Sequence, residues 1–568
     1  MKVKILSLVF ILAFLGLILK LGYWQVIRGA ELSRDGQFQY NSAKVTEAPR
    51  GNIIAADGSF WALRTDAWLI LANTNETTDS PKVVADKLTP FFVENPEDRE
   101  QTLAEAVRLE GLLGKKGAWI PLKQKVPGEV KKRVEALKIK GIGFENMEAR
   151  YYPEASSAAQ LLGFVGKDEN GSDIGYFGLE GYYNLPLSGK PGFLGREKDA
   201  KGAPILVNGS SQVSAISGVN LKTNIDKRIE ILAEEKLKEG IEKYGAKSGS
   251  VVVMEPSTGK IMAMAGYPSY DPRSYSKYND TLFKNPVISD TYEPGSIFKV
   301  LVMAAGLDAG KIKPDTTCDI CAGPLKIDKY IIKTWNEEYH PDITMTDVIV
   351  HSDNIGMSFI GNKIGADSMY DYLDKFGIGS LTEIDLQGES APSLRKKGTW
   401  NNVDLATASF GQGVAVTGIQ MIRAVAVIAN GGILVTPQVV DSIQGEGWEE
   451  KGKVDPPKRI ISQAAARETT EMMVEAADRG EAKWTRVPGF KVAGKTGTAQ
   501  IPVSGHYDST NTNASFIGFA PADSPKFVML VTLQSPQTSP WAAETAAPLW
   551  YSIAKELFPY LGIAPSGV

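Results

Sequence analysis

Cysteine and histidine are scarce in this 568-residue chain, and their scarcity excludes several kinds of catalytic site. The three histidines, His340, His351 and His506, do not form a His-Glu-x-x-His pattern, and the chain has no Gly-x-Ser-x-Gly segment. These absences argue against a metalloprotease and an α/β-hydrolase. Cys318 and Cys321 are too few for a zinc site. Outside a membrane they can pair as a disulfide or remain thiols.

The chain also lacks the signals of nucleotide and nucleic-acid binding. It has no Gly-x-x-x-x-Gly-Lys-Ser/Thr loop, and no cofactor is predicted. The net charge is −4, and the sequence has no block of basic residues. Both observations argue against a nucleic-acid partner. The length exceeds that of one ordinary hydrophobic core, so two or more globular domains are expected.

One long apolar run lies at the N-terminus. Residues 5–24 are apolar or aromatic apart from one serine and Lys20, and Lys2 and Lys4 precede them. A spanning helix needs about 20 residues, which this run supplies if Lys20 extends to the interface. A cleaved signal peptide is the alternative, but no small-x-small site follows. We predict a single-pass anchor (residues 1–24) with a cytoplasmic N-terminus and an extracytoplasmic body.

The body divides into two predicted domains. Residues 25–215 alternate strand-like pieces with a charged, helical stretch near residues 81–138. The small, polar segment 205–220 marks the boundary, and the second domain takes residues 216–568.

The second domain has the pattern of an α+β fold. Residues 250–256 and 260–266 read as two strands joined by a Pro-Ser-Thr-Gly turn, and residues 514–521 and 527–535 as a second pair. A mainly helical stretch separates the pairs, and a helix over 542–558 closes the chain. This order predicts an antiparallel sheet flanked by helices.

A serine at the start of an apolar helix is the first chemical signal. The pattern Ser-x-x-Lys is by itself uninformative, because it occurs at Ser257, Ser274, Ser296, Ser393 and Ser552. Only Ser296 follows a Glu-Pro-Gly turn and opens a run that must be buried, with Lys299 on the same helical face. Burial favours a neutral lysine amine, which can take the serine proton and make a nucleophile. For this pair alone, a helix cap beside a snorkelling lysine is the alternative.

Two later motifs favour the catalytic interpretation. Ser352-Asp353-Asn354 and Lys495-Thr496-Gly497-Thr498 follow in order, each at the edge of an element. Looser matches to the two patterns also occur, as Ser-Thr-Asn at 509–511 and Lys-Ser-Gly at 247–249. Only one set keeps the order Ser-x-x-Lys, Ser-x-Asn, Lys-Thr-Gly.

Each motif residue has a predicted role. Ser352 relays a proton from Lys299, and Asn354 holds a peptide amide. Lys495 anchors a substrate carboxylate and disfavours a charge on Lys299. The remaining roles fall to the substrate-binding residues Thr496, Gly497 and Thr498. Gly497 allows close approach of the backbone, Thr498 bonds the carboxylate, and its N–H completes an oxyanion hole with that of Ser296.

This order of motifs is known from penicillin-binding proteins and class A β-lactamases. From about residue 25 the chain resembles a class B penicillin-binding protein, a peptidoglycan D,D-transpeptidase of the division type. The matching segments are YEPGSIFK (292–299), ATASFGQGVAVTGIQM (406–421) and GKTGTAQ (494–500), with pedestal segments at 49–58, 150–166 and 178–192.

The resemblance implies a concrete reaction in cell-wall synthesis. Ser296 attacks the penultimate D-alanine of a D-Ala-D-Ala stem peptide, and a neighbouring stem's amine resolves the acyl-enzyme into a cross-link. β-Lactams acylate the same serine. The implied partners are a SEDS-family glycosyltransferase and other division proteins at the bacterial plasma membrane. Structural support is implied for the pedestal residues Arg50, Gly51, Asp57, Gly58 and Glu180, and a partner-binding role for the pedestal surface stays open.

Two other functions stay open. A D,D-carboxypeptidase or β-lactamase-type hydrolase would share the acyl-enzyme, but no Glu-x-x-Leu-Asn segment follows Ser352. A non-catalytic penicillin-binding scaffold or sensor would typically have lost a motif residue, and none is lost.

Overall fold

The computed structural model describes residues 2–28, 41–93, 95–169, 171–197, 212–452, 454–503 and 506–565. Contacts within the chain divide it into two units. One comprises Met1–Gly51 with Ser188–Gly218, and the other Asn52–Leu187 with Val219–Val568. Residues 205–211 of the predicted boundary segment lie outside the described residues. The domain limits at residues 24 and 215 therefore stay predictions.

The smaller unit contains the apolar N-terminal helix. This helix spans Lys2–Gly22 and continues as a π-helical turn over Tyr23–Ile27. Its window Phe10–Ile27 has a mean hydropathy of 1.9 and no buried residue. Within the described ranges it is the one helix long and apolar enough to cross a membrane. A three-stranded sheet completes this unit, with the order Asn41–Thr46, Gly192–Glu197, Gln212–Val213.

The larger unit begins with a seven-stranded sheet. Its strand order is Trp448–Lys451, Val440–Gly445, Asn220–Thr223, Ile53–Ile54, Phe60–Ala72 and Ile120–Pro127, and Ile142–Tyr151 also pairs with Phe60–Ala72. Strands from both predicted domains thus share one sheet. Three helices belong to the same region and span Pro81–Phe92, Arg99–Leu113 and Gly128–Ala136.

The prediction of a continuous helical stretch over residues 81–138 is wrong at its centre. Residues Ile120–Pro127 form a strand in which Ile120, Leu122 and Val126 are buried and Pro121 and Pro127 are exposed. Alternate burial is the pattern of a strand with one face on a core, and proline within it opposes a helix. The charged residues around this strand concealed the change of period.

Shorter elements complete the first half of the larger unit. They are Ala159–Leu162, Phe164–Lys167, Asp173–Tyr176, Gly178–Tyr182 and Asn184–Ser188, the last of which ends on the first residue of the smaller unit's second segment.

The second half of the larger unit is built on a five-stranded antiparallel sheet. Its strands are β1 (Ser248–Met254), β2 (Ile261–Tyr267), β3 (Ala493–Val503), β4 (His506–Ala520) and β5 (Phe527–Gln534). The order is β2-β1-β5-β4-β3, which places β3 at an edge. Both predicted strand pairs are confirmed, although β4 begins eight residues earlier than predicted.

Helices cover both faces of this sheet. The principal ones are α1 (Lys227–Tyr244), α2 (Lys299–Asp308), α3 (Met345–Val350), α4 (Asn354–Ile364), α5 (Gln463–Arg479) and α6 (Ala546–Tyr560). Along β1, Val251 and Val253 pack in the cluster that holds α1 and α6, whereas Val252 and Met254 pack in the cluster that holds α2. The predicted closing helix is α6, but it starts at Ala546 because residues 542–545 form a turn.

The remaining elements of this half are short. The other helices span Pro286–Ser289, Ala366–Lys375, Asn402–Ser409 and Gly418–Ala429, and 3₁₀ turns span Pro272–Lys277, Asp280–Leu282, Gly295–Phe298 and Lys483–Thr485. Three two-stranded sheets pair Thr291–Tyr292 with Val416–Thr417, Leu325–Ile327 with Tyr330–Ile332, and Ile433–Leu434 with Lys458–Arg459. Cys318 and Cys321, both buried, form a disulfide in the loop after α2, which settles the two alternatives left by the sequence.

A buried ion pair joins two of the pedestal segments. Arg150 Nε donates to Glu180 Oε1 at 2.6 Å, and the two side chains are 5% and 0% exposed. At the end of the first pedestal segment, Asp57 Oδ1 accepts the N–H of Ser59, and Gly58 takes a φ of +87° that favours glycine. In the smaller unit, Arg50 Nη1 donates to Ser188 Oγ at 2.8 Å.

Replacing Glu180 by glutamine should destabilise the larger unit. Breaking a buried ion pair by removing one charge leaves the other uncompensated and costs about 3 kcal/mol or more. We expect a lower unfolding midpoint, measured by calorimetry. The matched control is Glu148→Gln, which breaks the exposed Arg64–Glu148 pair and should cost below about 1 kcal/mol. Equal midpoints for the two variants would contradict a structural role for Glu180.

Candidate active site

Ser296 lies in a 3₁₀ turn that precedes the helix carrying Lys299. The turn spans Gly295–Phe298, and the Lys299 N–H donates to the Ser296 carbonyl oxygen. The prediction that the α-helix opens at Ser296 is therefore wrong by three residues, because the first turn is wound more tightly. In a 3₁₀ turn the side chains at i and i+3 are aligned, so Ser296 and Lys299 still share one side. Ser296 is half-buried, whereas Lys299 is fully buried.

The Lys299 amine is surrounded by the Ser352-Asp353-Asn354 motif. Its Nζ donates to the Ser352 carbonyl oxygen at 2.5 Å and to Asn354 Oδ1 at 2.8 Å, and lies 3.2 Å from Ser352 Oγ. Ser352 has a φ of +57°, a conformation that few residues other than glycine adopt. The next residue, Asp353, caps α4 by accepting the N–H groups of Ile355 and Gly356. Carbonyl and hydroxyl of Ser352 thereby meet the same amine.

Lys495 approaches the same hydroxyl from β3. Its Nζ lies 3.0 Å from Ser352 Oγ, 3.2 Å from the Thr496 carbonyl oxygen and 3.3 Å from Thr496 Oγ1. One buried serine hydroxyl thus stands between two lysine amines.

Burial determines the electrostatics of this pair. Desolvation, reinforced by the Lys495 charge and opposed by the charges of Asp353 and Glu481, lowers the pKa of Lys299 to about 7. Desolvation also lowers the pKa of Lys495, against the charge of Glu481. Two ammonium groups that share one hydroxyl in a buried site repel each other, so one neutral amine is favoured near pH 7.

The Ser296 turn packs directly on the edge strand. A Cβ at Gly497 would lie 2.7 Å from Ser515 Oγ and 2.8 Å from Ile297 Cγ2. A Cβ at Gly295 would lie 3.1 Å from that of Ala499. Contacts on either side of Ser296 therefore hold it beside residues 497–499, where the N–H groups of Ser296 and Thr498 lie on neighbouring segments.

Thr498 is held from the opposite side. Its Oγ1 accepts the N–H of Ala542 at 3.0 Å, from the turn that precedes α6. This bond uses an acceptor site of the hydroxyl and leaves its proton available for donation to a ligand.

The structure brings the predicted site residues together. Lys299, Ser352, Asn354, Lys495 and Thr496 form one hydrogen-bonded cluster, and the Ser296 turn, Gly497 and Thr498 adjoin it through packing.

The competing pattern matches lie elsewhere in the larger unit. Ser257 is exposed in the turn between β1 and β2, and Ser552 Oγ donates to the Leu549 carbonyl oxygen within α6. His351 stacks on His340 with the ring centroids 4.5 Å apart and is the C-cap residue of α3.

Three further side chains at this site belong to residues outside the sequence motifs. Trp335 and Trp541 meet edge to face with centroids 5.2 Å apart, and both are about two-fifths exposed. Trp335 Nε1 donates to the His351 carbonyl oxygen at 3.3 Å, and Trp541 precedes Ala542. Glu481 Oε2 accepts the Thr496 hydroxyl at 3.3 Å. Only the folded chain brings these residues to the motifs.

Comparison with known proteins assigns the family. Residues 249–557 match the penicillin binding protein transpeptidase domain, and residues 45–223 match the penicillin-binding protein dimerisation domain. The chain belongs to the class B penicillin-binding proteins. This membership confirms the family and the α+β fold class expected from the sequence.

Individual relatives agree with this assignment. Stage V sporulation protein D of Bacillus subtilis is 30% identical over 98% of this chain and 85% of its own length. Peptidoglycan D,D-transpeptidase FtsI of Escherichia coli is 27% identical over 98% of this chain and 91% of its own length. The crystal structure of penicillin binding protein 2X from Streptococcus thermophilus has a TM-score of 0.72, is 25% identical and covers 93% of this chain and 82% of its own.

A further structure has a bound β-lactam. Penicillin binding protein 3 from Mycobacterium tuberculosis, complexed with aztreonam, shares the fold with a TM-score of 0.71 at 24% identity, covering 92% of this chain and 98% of its own.

Replacing Gly497 by alanine should disrupt the contact between β3 and the Ser296 turn. The added Cβ would overlap Ser515 and Ile297, and overpacking of this kind costs about 1–3 kcal/mol. We expect a lower unfolding midpoint. Gly111→Ala is the control, because a Cβ there meets nothing within 4 Å. A midpoint for Gly497→Ala that equals the wild-type value would show that the turn can move away from β3 without cost.

Proposed function

We propose that this chain is a peptidoglycan D,D-transpeptidase that acts through an acyl-enzyme on Ser296. The observation that carries the proposal is the buried Lys299 amine, one turn from Ser296 and bonded to the hydroxyl that Lys495 also contacts. The curated relatives named D,D-transpeptidases support the reaction class.

Acylation begins with proton transfer. Neutral Lys299 takes the proton of Ser296 Oγ, and the oxygen attacks the carbonyl carbon of the penultimate D-alanine. The N–H groups of Ser296 and Thr498 stabilise the oxyanion. As the C–N bond breaks, the proton passes from Lys299 through Ser352 to the amine of the departing D-alanine.

The second half-reaction reverses these steps. The amine of a neighbouring stem peptide attacks the ester carbonyl, its proton returns through Ser352 and Lys299, and the C–O bond breaks with protonation of Ser296. A hydrolase would use water at this step, and the transpeptidase names of the relatives favour the amine.

The other motif residues position the substrate. Charged Lys495 and the Thr498 hydroxyl bind the peptide carboxylate, with Thr496 and Gly497 forming the adjacent strand edge. Because β3 is an edge strand, an extended peptide can pair with it as an added strand. Asn354 holds the substrate amide. β-Lactams acylate Ser296 by the same route.

The proposed location is the bacterial plasma membrane, with the N-terminus in the cytoplasm. The N-terminal helix supports a single-pass anchor, and Lys2 and Lys4 support the orientation. The Cys318–Cys321 disulfide supports an oxidising, extracytoplasmic environment for the body. The proposed partners are a SEDS-family glycosyltransferase and division proteins. A division role in preference to sporulation stays a prediction.

Labelling with a fluorescent penicillin tests the nucleophile. The purified full chain should be labelled covalently, and Ser296→Ala should remove the label because no hydroxyl remains to be acylated. Ser257→Ala is the matched control, since it removes an exposed serine of the same Ser-x-x-Lys pattern and should leave labelling unchanged. Label retained on Ser296→Ala would assign the reaction to another residue.

The pH dependence of labelling tests the base. Below pH 7 Lys299 is protonated and cannot accept a proton, so the acylation rate should rise with pH and inflect near 7. Lys299→Arg should abolish labelling, because a guanidinium keeps its proton at working pH. The measurement is the labelling rate from pH 5 to 9. A rate that is constant over this range would exclude Lys299 as the titrating base.

A further inference from the structure

A carboxylate at the rim of the site ends a chain of polar contacts that reaches Lys299. Glu481 follows α5 after one glycine, and the turn at Gly480 packs closely on the end of α3, where a Cβ would lie 3.0 Å from the Val350 carbonyl oxygen. This turn directs the half-buried Glu481 to β3, where its Oε2 accepts the Thr496 hydroxyl at 3.3 Å.

The contacts continue from Thr496 without interruption. Thr496 Oγ1 lies 3.3 Å from Lys495 Nζ, Lys495 Nζ lies 3.0 Å from Ser352 Oγ, and Ser352 Oγ lies 3.2 Å from Lys299 Nζ. Glu481 and Lys495 thus contact the same threonine hydroxyl, whereas Lys299 stands at the far end of the chain.

The negative charges around the two lysines are unevenly placed. Asp353 and Glu481 both act on Lys299, but the buried carboxylate of Asp353 also caps α4, where the helix N-terminus favours a negative charge. Glu481 is the group whose charge opposes the loss of a proton from Lys495.

Other charged groups near the end of α5 are engaged elsewhere. Arg479 donates to Glu475 at 3.0 Å and to Asp347 at 2.7 Å, and Lys483 is exposed. His351 interacts electrostatically with Asp347. In the part of the chain that the structure describes, Glu481 is the acidic side chain that is hydrogen-bonded to the lysine motif of β3.

We propose that Glu481 is a positioning residue that, through Thr496, keeps the positive charge of the site on Lys495 and so leaves Lys299 as the amine that accepts the Ser296 proton. The inference rests on the proposed acyl-enzyme function. It assigns to one carboxylate the asymmetry between two buried lysines that share a single hydroxyl.

The test is the pH profile of labelling by a fluorescent penicillin, measured on the full chain from pH 5 to 10.5. The profile should be bell-shaped, rising as the site loses one proton and falling as it loses the second; both limbs belong to the lysine pair. Glu481→Gln removes the charge and keeps the shape. An opposite charge within about 4–6 Å shifts the pKa of an ionisable group by about one unit or more.

We expect both limbs to move to lower pH in Glu481→Gln. The alkaline limb should move further, by about one unit, because Glu481 shares a hydroxyl contact with Lys495. Glu481→Asp, which keeps the charge, should restore most of the wild-type profile. Glu475→Gln, which removes a carboxylate from α5 just before Glu481, should shift neither limb.

Limbs at the same pH in wild type and Glu481→Gln would overturn the inference. This holds even if the labelling rate of the variant is lower by the same factor at every pH, because a residue with a purely structural role would lower the rate without moving the limbs. If Glu481→Gln does not fold, as judged by its unfolding midpoint, Glu481→Ala gives the same readout. Labelling that survives Ser296→Ala would overturn the proposed function, whereas Ser296-dependent labelling with unshifted limbs would overturn only the inference.

Discussion

The cost of burying a lysine amine is the constraint on which this site depends. Lys299 is fully buried at the start of α2, a helix whose other residues pack almost entirely into the core. A charged ammonium loses hydration there, and its partners are mostly neutral oxygen atoms, from Ser352 and Asn354. These atoms accept hydrogen bonds without supplying a full negative charge. The amine is therefore held in place while its neutral form stays accessible near pH 7.

The surrounding backbone serves this placement. The positive φ of Ser352 brings two of its oxygen atoms to Lys299, and the cap that Asp353 provides for α4 holds this conformation. On the other wall, β3 lies at the sheet edge because β4 pairs with it on one side only. The free edge and the motif residues belong to the same strand, so the substrate pairing that we propose for β3 would place a peptide beside the Ser296 turn.

In the proposed mechanism the two lysines have different tasks although they share a hydroxyl. Lys299 loses its proton to act as the base, while Lys495 keeps its charge to bind a carboxylate. Burial alone lowers both pKa values and cannot separate these tasks. We infer that a carboxylate nearer to Lys495 than to Lys299 along the chain of contacts separates them. Glu481, which no motif contains, contacts the same Thr496 hydroxyl as Lys495.

The sequence by itself determined the family, the strand pairs and the motif residues. Hydrophobic period and turn residues specify β1, β2, β4 and β5 locally, and the order of three short motifs selects Ser296 as the predicted nucleophile among five equivalent patterns. Prediction from the sequence failed where the local residue pattern and the tertiary environment favour different secondary structures. Charged neighbours concealed the strand Ile120–Pro127, whose alternate burial exists only against a core.

Only the tertiary structure decided which groups meet. The bond between Glu481 and Thr496, the ring contact of Trp335 with Trp541 and the disulfide each depend on where segments come together in space. The lowering of the Lys299 pKa was expected from burial. The degree of burial and the charges that oppose this lowering depend on α2, α4 and β3 together. The physical reason is that sequence periodicity reports the face of an element, whereas distance and desolvation arise only when elements pack.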